Sequence, residues 1–238
     1  MKRTYTLILL VGVILGIASC ARDYTTPVFS SKTVGHKKVA ILPYQMVYTG
    51  RQDADLSPEE IRKINEAESQ AFQRALHNQL LRESGSDKKD IKIEFQTPER
   101  TNRILQDSGI TLVDAWKQTP EKLAALLGVH AIIYTRVEKE KFLTDLESFG
   151  LEIAGDILDK LKLPDGITLP VGADPSRYNR TYRIKIDCQL LNGVDASLLW
   201  KLPLDTEIDW NSRANDVIEQ SARMCAKRFP YRNRSYYH

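Results

Sequence analysis

The 238-residue chain is short of almost every feature that announces a chemistry. Its three cysteines, Cys20, Cys188 and Cys225, have no CxxC spacing and no histidine at metal-ligand spacing, which excludes a zinc-ribbon reading. No P-loop, GxSxG, HExxH or GxGxxG occurs, and the 12 glycines follow turns and helix ends, so no loop is built to cradle phosphate. An excess of one charge is missing too: 34 basic against 31 acidic residues leave no field for a polyanion. Trp116, Trp200 and Trp210 are not spaced as a base-stacking platform, so no nucleic-acid partner is expected. The four histidines, His36, His77, His130 and His238, are scattered; His77 falls on the polar side of a long helical pattern and His130 borders a strand, which predicts structural or solvent-facing roles. Past Ile17 no apolar run approaches the roughly 20 residues that a membrane-spanning helix needs. A non-enzymatic protein with no cofactor and no metal is the expectation.

What the chain does have stands at its start. Lys2 and Arg3 precede an apolar run from Leu7 to Ile17, which ends in Ile17-Ala18-Ser19-Cys20, the arrangement of a secretory signal with small residues ahead of a cysteine. It resembles a bacterial lipoprotein signal with its lipobox, here Ile17, Ala18 and Ser19. The resemblance implies cleavage between Ser19 and Cys20 and lipidation of the Cys20 thiol, the nucleophile that thioether formation requires. Each buried CH2 of the attached fatty chains contributes about 0.8 kcal/mol, so several chains of palmitate type hold a protein to a bilayer durably. Ala21 follows the cysteine, where an Asp would favour inner-membrane retention in enteric bacteria; an outer-membrane, periplasm-facing location is therefore expected. Loss of residues 1–19 takes the basic count to 32 against 31 acidic, a nearly neutral mature chain.

Four segments follow: a signal peptide at 1–19, the acylated Cys20 with a flexible tether through 37, an α/β domain at 38–229, and a basic, aromatic tail at 230–238, read as a frayed terminus in preference to a contact with anionic headgroups or another chain. Within the domain, Val39 to Leu42 closed by Pro43 reads as a strand buried on both faces. A polar loop leads to Ser57-Pro58-Glu59-Glu60, a capping box opening a long amphipathic helix with Arg62, Lys63, Glu66, Gln70 and Arg74 on its wet side. Ile91, Ile93 and Phe95 alternate as a half-buried strand, Thr97-Pro98 opens a short helix, and Thr119-Pro120 opens another that stops at Gly128. Val129 to Val137 reads as a second central strand. Tyr182 to Leu190 alternates with Arg183, Lys185, Asp187 and Gln189 on a wet face, turns at Asn192-Gly193, and returns through Leu198 to Leu202 as a hairpin. Ala214 to Phe229 is a last amphipathic helix, and the sum is a mixed-sheet α/β layer sandwich. Cys188 falls on a strand and Cys225 on a helix; pairing in an oxidising periplasm and two buried free thiols both fit.

Val39-Ala40-Ile41-Leu42-Pro43-Tyr44 is similar to the "VAVLPF" strand, Gly128-Val129-His130-Ala131-Ile132-Ile133-Tyr134 to the "GADAVVYG" strand, and Tyr182 to Trp200 to the strand, turn and closing "xxW" strand of one superfamily. This is the periplasmic lipoprotein superfamily that includes CsgG, LpoB and the N-terminal domain of TolB. The chain departs from it at Tyr44, where the family has Phe, and at Leu191 to Asp195, which lacks the usual Thr-Gly. The resemblance implies a TolB-N/CsgG-like fold and action through assembly and binding. Residues 141–179 form an insertion, where channel-forming relatives carry a membrane-inserting hairpin. Here Leu146, Phe149, Ile153, Ile157 and Leu161 lie on a broad apolar helical face and strand alternation is absent, so a partner-binding helix is one reading and a helix packed over its own domain the other. Its acidic residues Asp145, Glu147, Glu152, Asp156 and Asp159 disfavour anionic lipid and favour a protein partner. The reading is a membrane-anchored lipoprotein acting as adaptor or assembly factor toward an envelope protein or its own copies; the alternative is an oligomeric, CsgG-like secretion-channel subunit.

Overall fold

The structure, a computed structural model, describes residues 23–49, 57–85, 87, 90–139, 181–209 and 214–232. In chain order these form β1 (Tyr24–Thr25), α1 (Phe29–Thr33), β2 (Lys38–Ile41), β3 (Gln45–Tyr48), α2 (Pro58–Arg82), β4 (Glu94–Phe95) and α3 (Pro98–Asp107). A 3-10 turn at Asp114–Lys117, then α4 (Pro120–Leu127), β5 (Ala131–Lys139), β6 (Thr181–Asn192), β7 (Leu198–Asp209) and α5 (Ala214–Lys227) complete them. The seven strands make one mixed sheet ordered β1-β7-β6-β5-β2-β4, with β3 also beside β5. β2 runs parallel to β4 and β5, β3 runs parallel to β5, and the β5-β6-β7-β1 half is antiparallel. The mixed α/β sandwich expected from the patterning is the architecture found.

The helix boundaries have local causes. Thr97 and Thr119 each accept a hydrogen bond from the backbone N–H three residues on, at 3.4 Å, and each is followed by a proline whose missing N–H costs nothing at the first helical position. Gly128 stops α4 in the left-handed conformation, φ 66°. The segment after Pro43, expected as a loop, instead rejoins the sheet as β3: Pro43 has no N–H for the ladder, and Gln45 resumes pairing opposite Arg136.

Alternation along the strands divides the apolar residues between two faces. Val39, Ile41, Ala131, Ile133, Ile184, Ile186 and Leu190 belong to the core under α2 and α5. Ala40, Leu42, Ile132 and Tyr134 belong to the core under α3 and α4. The second set of helices covers the parallel half of the sheet and leaves the antiparallel half wet.

Three expectations need correcting. The stretch ending at residue 37 is not a flexible tether from Tyr24 onward: β1 pairs with β7, and Phe29, Thr33 and His36 are buried. The tail at 230–238 is not frayed at its start, because Tyr231 is buried against Phe29 and Phe229 and Arg232 pairs with Glu83 at 2.8 Å. His77 is buried rather than solvent-facing, and desolvation lowers its pKa, because α2 packs against α3 as well as α5. Of the two open readings for Cys188 and Cys225, the structure has two buried free thiols in contact. That contact and burial raise the pKa of Cys225, while burial foremost raises that of the neighbouring Tyr44 phenol, so both groups stay protonated.

Candidate functional site

Cys20 with Ile17, Ala18 and Ser19, and the residues Leu146, Phe149, Ile153, Ile157 and Leu161 for which a partner-binding helix was expected, all lie outside the described residues. The described residues fix the two places from which these segments depart. The first is the β1 edge. Tyr24 pairs with Lys201 and Thr25 with Trp200 in antiparallel register, and Thr26 N donates to Leu199 O at 3.0 Å. Phe29 then enters the core, its ring centroid 5.2 Å from that of Tyr231, and His36 Nδ1 shares a hydrogen bond of 2.6 Å with the Tyr231 hydroxyl. Lys32 Nζ donates to Asp195 Oδ2 at 2.5 Å and to Ser197 Oγ at 2.8 Å, clasping α1 to the turn between β6 and β7. The Lys32 hydrogen bond, helped by those from Ser197, holds the Asp195 carboxyl well below the usual carboxylate range. Cys20 thus stands four residues ahead of a strand locked to the sheet.

The second place is the root of the insertion. The β5–β6 ladder runs to the pair Lys139–Ile184; the chain leaves β5 after Lys139 and re-enters β6 at Thr181. Tyr48 of β3 pairs with Lys139 on its other side, and the Lys139 ammonium is buried in an ion pair with Glu68 of α2. A buried pair of this kind fixes geometry more than it adds stability. The insertion therefore springs from two neighbouring strands held from both sides, at the end of β5 opposite His130.

Between these places lies the wet face of β5, β6 and β7. Arg183 makes a bidentate pair with Asp205 at 2.7 Å on both arms, Lys201 pairs with Asp187 at 2.9 Å, and Arg136 with Glu138 at 2.9 Å. Opposite charges also face each other across the ladders, Arg136 against Asp187 and Lys185 against both Glu138 and Asp205. Exposed pairs contribute under about 1 kcal/mol each, so this surface sets register and wetness rather than stability. It is the polar side read from the alternation of Arg183, Lys185, Asp187 and Gln189.

Patterning missed the edge formed by β1 and α1, because two strand residues and a five-residue helix are too short to show a period. The available signal was Phe29 itself, a large aromatic next to Val28 in a stretch with no apolar period. Among the described residues no group of His, Cys, Asp or Glu side chains is placed to hold a metal, and no helix is long and apolar enough to cross a membrane.

No protein-family model and no curated protein matches the sequence. Among solved structures the chain is similar to lipoprotein GNA1162 from Neisseria meningitidis, at TM-score 0.42 and 10% identity over 81% of this chain and 99% of that one. It is similar also to the PelC dodecamer from Paraburkholderia phytofirmans, at 0.38 and 9% over 89% and 96%, and to the LpoB C-terminal domain from Salmonella enterica, at 0.31 and 9% over 76% and 95%. Likeness at this level assigns this chain neither a family nor an activity.

Proposed function

We propose that this chain is a lipoprotein of the bacterial cell envelope that works by binding rather than by catalysis. Acyl chains on Cys20 hold it to the outer membrane, the sheet domain faces the periplasm, and the helix bearing Leu146, Phe149, Ile153, Ile157 and Leu161 engages an envelope protein or a second copy. The observation that carries the reading is Cys20 itself, behind Ile17-Ala18-Ser19 and an apolar leader, and close ahead of the folded domain. Two buried glutamines serve the fold itself, as a binding scaffold requires. Gln73 Nε2 donates to Ile41 O at 2.7 Å and to Asn102 Oδ1 at 3.0 Å, and Gln96 Nε2 donates to Leu127 O at 2.9 Å, so these groups hold strands to helices.

Mass spectrometry of the N-terminal peptide from native envelopes is the test. A diacylglycerol-modified Cys20 at the N-terminus is expected; an unmodified Cys20, or an N-terminus elsewhere, overturns the reading. Light scattering on the acylated chain in detergent then separates adaptor from secretion channel: a monomer or dimer is expected, and a ring of many copies favours the channel.

A further inference from the structure

The segment between Cys20 and the fold is too short for the domain to swing freely. Tyr24 is fixed opposite Lys201 and Thr26 N is bonded to Leu199 O, so the free length ends at Tyr24. Four peptide units separate Cys20 from Tyr24, at most about 14 Å of chain. The sheet, from β1 across β7, β6, β5 and β2 to β4, spans five strand spacings, about 24 Å. A body of that width, moored at one rim by so short a lead, keeps that rim beside the bilayer and its opposite rim away.

The rim has the side chains for such a contact. Tyr24 and Val28 are each 48% exposed at the start of the fold, although both are large and Val28 is wholly apolar. A phenol beside an aliphatic group suits the headgroup boundary, where an amphipathic ring keeps one end wet and one end dry. At the far rim Glu94 of β4 is exposed and paired with Lys38 at 2.9 Å.

We propose that the β1–α1 rim, through Tyr24 and Val28, is a bilayer-contacting surface that lies in the phospholipid headgroup layer, so that β4 points away from the membrane. This rests on the acylated Cys20 of the preceding subsection.

The test uses the full acylated chain in nanodiscs of phosphatidylcholine and phosphatidylglycerol that carry a headgroup nitroxide. A fluorophore is placed on Val28→Cys or on Glu94→Cys; native Cys188 and Cys225 are buried, so the new thiol takes the label. Quenching at the Val28 site several-fold stronger than at the Glu94 site is expected. Equal quenching, or stronger quenching at Glu94, overturns the proposal. Exposed Pro27→Cys replaces the Val28 variant if that one fails to fold. Detergent phase partition and intact mass on the same samples separate the two failures: an unacylated chain sinks the lipoprotein reading, whereas an acylated chain with equal quenching sinks this inference alone.

Discussion

At the scale of single residues, two titrating groups make opposite demands on pH. Asp195 is held ionised by Lys32 and Ser197, so its pKa in the folded chain lies below the unfolded value of 3.8. Its contribution is present above that value and is lost as pH falls below it toward the folded pKa. The thermal midpoint of the native chain is therefore expected to fall more steeply in acid than that of Asp195→Asn, with calorimetry from pH 5 downward as the measurement. Tyr134 runs the other way. Burial pushes its phenol up to about 12, and the hydroxyl donates to Gln118 O at 3.2 Å. The neutral phenol favours the fold up to the unfolded value of 10.0, and that contribution is lost as pH rises from there through about 12. Absorbance titration at the phenolate band is expected to show the native chain and Tyr134→Phe ionising the same number of tyrosines below that value and the native chain one more above it, and the variant is expected to lose that alkaline limb of stability.

At the scale of elements, two glycines near the start of β5, Gly128 before it and Gly193 after β6, separate two reasons for having no side chain. Gly128 has open space around it but a positive φ, so Gly128→Ala is expected to cost about 1 kcal/mol. Gly193 has an ordinary φ, yet a Cβ there would sit 2.5 Å from Ala124 Cβ and 2.8 Å from His130 O, both fixed by the α4–β5 connection. Gly193→Ala is expected to cost more, about 1–3 kcal/mol, because backbone rather than a side-chain tip must move. Urea unfolding of the two variants ranks them, and a milder effect at Gly193 refutes the close-approach account. The element α1 makes a sharper case: a tether residue replaced by Ala costs nothing, whereas Phe29→Ala is expected to cost about 3–5 kcal/mol, read by the same unfolding curves. Elements with a period or a cap were legible in the sequence, including α2, α4, β5 and the β6–β7 hairpin. β1, α1 and β3 were not, since they are stabilised by distant partners, Trp200, Tyr231 and Arg136 respectively, and no local pattern encodes a partner that lies far along the chain. The same reason hid the burial of His77, which depends on where α3 comes to rest.

At the scale of the molecule, the lead from Cys20 joins the outer rim of the sheet, whereas the insertion leaves from β5 and β6 in its interior. Removal of residues 146–161 is accordingly expected to leave the sheet folded, because the β5–β6 ladder from Ala131–Asn192 to Lys139–Ile184 does not depend on those residues for its pairing. Circular dichroism and the thermal midpoint should stay near those of the full chain, while co-purification with the envelope partner should be lost. Loss of the whole fold would instead favour a helix packed over its own domain.

The pairing of the first strand with the last one has a consequence for biogenesis. β1 needs β7, and α1 needs Tyr231 beyond α5, so Tyr24 to Thr33 cannot be locked down until nearly all of the polypeptide is available to fold. If Cys20 is acylated as proposed, its modification falls in the interval before the last residues stitch this stretch into the sheet.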